Sequence, residues 1–150
     1  MSPHPLAEAI ADLFLRPGHA PAREGADHAH RARIRFEWVS GQWVLLAPEN
    51  RFQGWMSWYR VSADVFDLLK REDIAALVAR DAPGTDLTQG PCLYIATAVV
   101  APGAPGGTYR RLFRAACQAN PGANIVGGWL RKQDERRFWH ERPLSRPPIH

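Results

Sequence analysis

The chain has 150 residues, 45% of them hydrophobic, and 19 Lys+Arg against 15 Asp+Glu give a net charge of +4 with histidine neutral. That length suits one domain that buries roughly 70% of its unfolded surface without staples. Its two cysteines, Cys92 and Cys117, lie in apolar stretches outside any CxxC spacing, which argues against a disulfide scaffold or zinc site and suits a reducing compartment.

Leu6 to Leu15 carries apolar residues at 6, 9, 10, 13 and 14, a helical spacing that Pro17-Gly18 ends. Glu8 and Asp12 interrupt it, so it does not read as a signal peptide. No apolar run approaches the ~20 residues that cross a bilayer, and a cytoplasmic protein is expected. His19 to His30 is polar, small and histidine-dotted and reads as a loop. Asp27, His28 and His30 share it without a rigid element to fix them, so no metal site is assigned. Arg33 to Val39 alternates with Ile34, Phe36 and Trp38 on one face, a strand pattern. Ser40-Gly41 then reads as a hairpin turn, Trp43 to Ala47 as the returning strand, and Gln53 to Val61 as a third strand. One side of that third strand is expected to be core and the other to line an acyl or ligand groove.

Ser62 is a good helix cap, with Asp64 in the first turn and an apolar stripe of Val65, Phe66, Leu68 and Leu69. A second helical stretch spans Ile74 to Val78. Leu93 to Ala101 is an unbroken apolar run, the pattern of a buried strand. Pro102 to Gly107 makes a turn, Tyr109 to Ala119 a helix, and Ile125 to Leu130 a last strand. Residues 1–141 are expected to form one domain, and 142–150 a flexible tail rich in proline and arginine. Three antiparallel strands feeding a β-α-β unit predict an α/β (α+β) fold, a mixed sheet with helices on both faces.

The stretch Val99 to Leu112 joins a buried strand, a glycine-rich turn and a helix N-terminus, whose first amides lack intrahelical acceptors and carry partial positive charge. Such a turn suits a pyrophosphate or a phosphopantetheine phosphate. Gly106, Gly107 and Thr108 would supply amides, Arg110 and Arg111 charge, and the backbone at Val99 and Val100 a donor for a thioester carbonyl. The Gly-Lys-Ser/Thr of a Walker loop and the Rossmann fingerprint are both missing. Tyr109 is a candidate proton donor beside the turn and Ser57 a candidate hydrogen-bond partner for a thioester or thiol.

With this order of elements, Gly103-Ala104-Pro105-Gly106-Gly107-Thr108 resembles the acyl-CoA loop of the GNAT superfamily of N-acetyltransferases, Gln/Arg-x-x-Gly-x-Gly/Ala. It keeps the middle glycine, lacks the leading Gln/Arg, and has Thr108 at the final small position. Within that superfamily, residues 45–131 are most similar to the RTX-toxin-activating lysine acyltransferases. Gly54 to Ser62 looks like their strand ending in Ser-Trp-Ala, and Gly90 through Ala101-Pro102-Gly103 to Leu112-Phe113 like their strand, Ala-Pro-Phe-Gly turn and helix. The resemblance implies transfer of an acyl group from acyl-CoA or acyl carrier protein to a lysine-like amine. It also implies a catalytic histidine near the end of the first helix, where His19 stands, and an aspartate on the strand before the turn. That position falls at or near Ala98, and no acid occurs from Cys92 to Gln133.

Two functions are therefore expected. One is an acyltransferase whose donor is acyl-CoA or an acyl carrier protein, with no metal, an acidic protein partner and a second copy as homodimer among its partners. The other is a catalytically silent module of the same fold, phage or mobile-element encoded, acting through its arginine surface on an acidic protein or nucleic acid.

Overall fold

A computed structural model describes residues 4–15, 26–72, 87–131 and 137–144. In chain order the elements are α1 (Pro5–Phe14), α2 (Ala26–Ser40), β1 (Trp43–Leu46), β2 (Gly54–Val61), α3 (Ala63–Lys70), β3 (Cys92–Val100), α4 (Thr108–Gln118), β4 (Ile125–Arg131) and β5 (Arg137–Pro143). The strands form one sheet in the order β1-β2-β3-β4-β5. β1 runs antiparallel to β2, with Trp43 opposite Ser57. β3 runs parallel to β4 from Cys92–Ile125 to Ile95–Gly128, and β4 antiparallel to β5 from Ile125–Pro143 to Arg131–Arg137. This is the mixed, mainly antiparallel sheet that the sequence predicts. Contacts gather into two compact units, and the chain passes between them at Ser57/Trp58, Ala96/Thr97 and Ala116/Cys117.

The first unit is built on an apolar cluster of Ile10 and Ala11 from α1, Ile34 from α2, Trp55 from β2 and Val99 from β3. Each fully buried isoleucine or valine in it contributes about 1.5–3 kcal/mol. Trp38 stacks on Trp43 at 4.5 Å, and the Trp43 indole N–H donates to the Trp38 carbonyl at 2.9 Å. Arg31 reaches Asp12 and Arg35 reaches Glu8, both at 2.6 Å, so charge pairs fasten α1 to α2 along their outer edge. Gly54 points to the other face of β2, against α4. A Cβ there would stand 2.7 Å from Leu112 Cδ1 and 3.1 Å from the Val99 carbonyl oxygen, so a side chain at this position would require the buried Leu112 to shift. Helices thus cover both faces of the sheet within this unit.

In the second unit Val61, Phe66 and Cys92 are buried beneath partly buried Tyr59, Tyr94 and Trp139. Tyr59 stacks on Tyr94 at 6.1 Å, and Tyr94 on Trp139 at 6.2 Å. α3 starts where the sequence places it: Ser62 Oγ accepts the Val65 amide at 3.2 Å. The Trp129 indole donates to the Leu69 carbonyl at 3.0 Å and Lys70 pairs with Glu141 at 2.5 Å, which holds the end of α3 against β4 and β5.

Three expectations are corrected. The stretch expected as a loop, a strand from Arg33 to Val39 and a hairpin turn is largely the helix α2. His30, Arg33, Ile34, Glu37 and Trp38 turn inward at helical spacing, while Phe36, assigned to the strand's apolar face, is 55% exposed. Gly41 ends that helix by donating its amide to the Trp38 carbonyl at 3.3 Å. Second, Gly54 through Trp58 are all buried, so that part of β2 has no open groove-lining face. Third, Arg142 and Pro143, expected in the tail, belong to β5, paired with Val126 and Ile125. The helix expected over Ile74 to Val78 and the stretch containing His19 lie outside the described residues.

Candidate functional site

The strand, turn and helix from β3 to α4 form as the sequence predicts. β3 is fixed at its end by a backbone bond from the Ala101 amide to the Gln53 carbonyl, 2.8 Å. The Ala104 amide closes the first turn onto the Ala101 carbonyl at 3.1 Å. Pro105 then receives two bonds from Thr108, one from its amide at 3.2 Å and one from its hydroxyl at 2.6 Å. Thr108 is 2% exposed, so both its donors are spent inside the turn. The expected phosphate contact by the Thr108 amide is therefore corrected: this residue builds the turn.

Gly106 and Gly107 are exposed, with nothing within 4 Å of the position a Cβ would take. Gly107 has φ +88°, a conformation side chains resist, and it directs the chain into α4. The helix buries Leu112 and Ala116 and turns Arg110, Arg111 and Arg114 outward. No acid occurs in α4, and these three arginines have no carboxylate partner among the described residues. Arg51, two residues before the Gln53 carbonyl that anchors the turn, is likewise exposed and without a carboxylate partner among the described residues. By contrast Arg31, Arg35, Arg71, Lys70 and Arg137 are all engaged with carboxylates. Tyr109, in the first turn of α4, is half-buried with its ring stacked on Phe113 at 6.3 Å.

Behind the end of β3 lies a polar cluster that sequence reasoning missed. Glu37 of α2 is fully buried, and one of its oxygens, Oε1, accepts the Ser57 hydroxyl at 2.5 Å and the Thr97 hydroxyl at 2.6 Å. Arg33, one turn earlier on α2, brings its Nε to 3.6 Å from Oε2. Ser57 is also fully buried and Thr97 is 2% exposed. Because both hydroxyl protons point at Glu37, neither side chain has a proton to offer a thioester. The signal that would have found Glu37 is the inward spacing 30, 33, 34, 37, 38, which competes with the alternation of Ile34, Phe36 and Trp38.

Among the expected site residues, Ser57, Val99, Val100, Gly106, Gly107, Thr108, Tyr109, Arg110 and Arg111 fall in the first unit. Val99 is fully buried in the core and Val100 half-buried. His19 lies outside the described residues. Burial pushes the thiols of Cys92 and Cys117 up from their ordinary value, so neither is a thiolate nucleophile near neutral pH. Among the described residues no group of His, Cys, Asp and Glu is placed to hold a metal ion, and no helix is long and apolar enough to cross a membrane.

No family model matches the chain, and no curated protein matches it. Solved structures do. The GNAT-like decarboxylase GphF, in complex with isobutyryl-CoA, is similar over 83% of this chain and 61% of its own, with a TM-score of 0.56 and 20% identity. The loading GNATL domain of CurA from Lyngbya majuscula is similar over 83% of this chain and 58% of its own, with a TM-score of 0.52 and 14% identity. The chain thus spans about three fifths of each neighbour's length. The fold of this chain is GNAT-like.

Proposed function

We propose that this chain binds an acyl thioester, acyl-CoA or an acyl carrier protein, and transfers the acyl group to an amine. The observation that carries the reading is the exposed Gly106-Gly107 turn at the N-terminus of α4, on a GNAT-like fold with a neighbour that holds isobutyryl-CoA. The Gly106 and Gly107 backbone receives the phosphate at the positive end of the α4 dipole, and Arg110 and Arg111 add charge to that end. β3 runs on to Val100 beyond Ile95, the last residue of its ladder with β4. That leaves one backbone edge of its final residues outside the ladder, where an amide at Val99 or Val100 can polarise a thioester carbonyl. In this reading His19 serves as the base and Tyr109 as the acid. Arg51, Arg110, Arg111 and Arg114 are the support for an acidic donor such as acyl carrier protein.

Thermal shift and calorimetry with CoA, acetyl-CoA, isobutyryl-CoA and an acyl carrier protein test the binding. A donor at a hundredfold excess over its Kd raises stability by about 2.7 kcal/mol, several degrees in a chain of this size. No stabilisation by any of them overturns the reading. Mass spectrometry of the donor and of a lysine-containing acceptor peptide then separates transfer from hydrolysis and decarboxylation. A second reading, a silent module using the same arginines against an acidic protein or nucleic acid, is favoured by the lack of any acid from Cys92 to Gln133. It predicts donor binding without turnover, or binding to polyanions with steep salt dependence and no donor binding.

A further inference from the structure

Glu37 is a carboxylate with no exposure to solvent, and burying a charge there is costly unless hydrogen bonds compensate for lost water. The compensation comes from two strands at once: Ser57 on β2 and Thr97 on β3 donate to the same oxygen, at 2.5 and 2.6 Å. Thr97 stands two residues before Val99, and Ile34, one turn before Glu37 on α2, packs with Val99 in the apolar cluster. α2 therefore holds the last part of β3 by a polar contact at Thr97 and an apolar one at Val99. The Ala101–Gln53 backbone bond fixes the next point along the chain.

We propose that Glu37 is a positioning residue for the acyl end of the donor: through Thr97 and Ser57 it sets where the Val99–Val100 backbone stands, and so whether that backbone meets the thioester carbonyl. Glu37 does not touch the donor. Thr97 and Ser57 transmit its effect, and the glycine turn, which grips the phosphate, is anchored separately by Thr108 and Pro105. The proposal rests on the donor-binding reading above, and it makes a separate demand: acyl recognition and phosphate recognition respond differently when the cluster is broken.

The test is the ratio of affinities for isobutyryl-CoA and CoA, measured by calorimetry well below the unfolding midpoint with folding confirmed by circular dichroism. Wild type is expected to favour isobutyryl-CoA. Glu37→Ala and Thr97→Val are expected to weaken isobutyryl-CoA about tenfold while CoA changes by less than about twofold. Glu37→Gln keeps an oxygen that accepts both hydroxyls and is expected to restore the wild-type ratio, even if its amide, facing Arg33, lowers stability. If Glu37→Ala does not fold, Thr97→Val and Ser57→Ala, each removing a single donor, carry the test. Equal losses for both ligands, an unchanged ratio in the folded variants, or a Glu37→Gln ratio as poor as that of Thr97→Val would overturn the proposal while leaving donor binding intact. A wild type that binds neither ligand overturns the donor-binding reading itself.

Discussion

Two neighbouring glycines in the turn do different jobs. Gly107 turns the chain at φ +88°, where a Cβ crowds the following carbonyl, whereas Gly106 does not adopt a positive φ and has open space around it. Gly107→Ala is expected to cost about 1–2 kcal/mol. Gly106→Ala is expected to be neutral or to gain up to about 1 kcal/mol by restricting the unfolded chain. Urea unfolding of the two variants checks this, and equal effects would contradict the turn geometry. Thr108 belongs to the same scale: a polar residue in a phosphate-loop position invites assignment as a ligand contact, yet its amide and hydroxyl are both consumed by Pro105.

At the scale of elements, α2 is where sequence and structure part. Its inward face holds Ile34 and Glu37, and Val39, which shares a strand face with Glu37 but not a helix face, is 84% exposed. Val39→Glu is therefore expected to change stability by less than about 0.5 kcal/mol, while Ile34→Ala should cost about 2–5 kcal/mol. Thermal or urea unfolding of Phe36→Ala distinguishes this from a strand: on the helix Phe36 is exposed and its truncation should cost less than Ile34→Ala, whereas in a strand the two would share the buried face. The sheet core and the β3-turn-α4 unit were legible because their signals are local: an unbroken apolar run, a cluster of glycines, and Leu112 and Ala116 four residues apart. α2 was not, because Ile34, Phe36 and Trp38 happen to alternate and a glutamate in a short polar stretch reads as solvated. Its burial depends on Ser57 and Thr97, 20 and 60 residues away, and no local pattern records them. β5 escaped for a related reason: Arg137 to Pro143 is mostly charged or half-buried at the edge of the sheet, and it is a strand because β4 pairs with it.

Across the molecule, each unit is fastened by a carboxylate whose acidity the fold has changed. A hydrogen bond from Arg35 holds Glu8 below the usual carboxylate range, and Lys70, with help from the Trp139 indole, does the same for Glu141. A depressed folded value means that these contacts are fully in force above the unfolded value of about 4.3 and are lost as pH falls through the lower folded value. The thermal midpoint should hold between about pH 5 and pH 7 and fall below that window. The Glu8→Gln, Glu141→Gln double variant should start lower at neutral pH and show a flatter acid limb. The shared oxygen of Glu37 has a further consequence, for time rather than energy. Serine and threonine hydroxyl protons normally trade places with water too fast to be seen. Those of Ser57 and Thr97 can leave only when α2 lifts from the strands, so each should give a discrete, slowly exchanging proton resonance in water, and its lifetime would serve as a clock for how often the first unit opens.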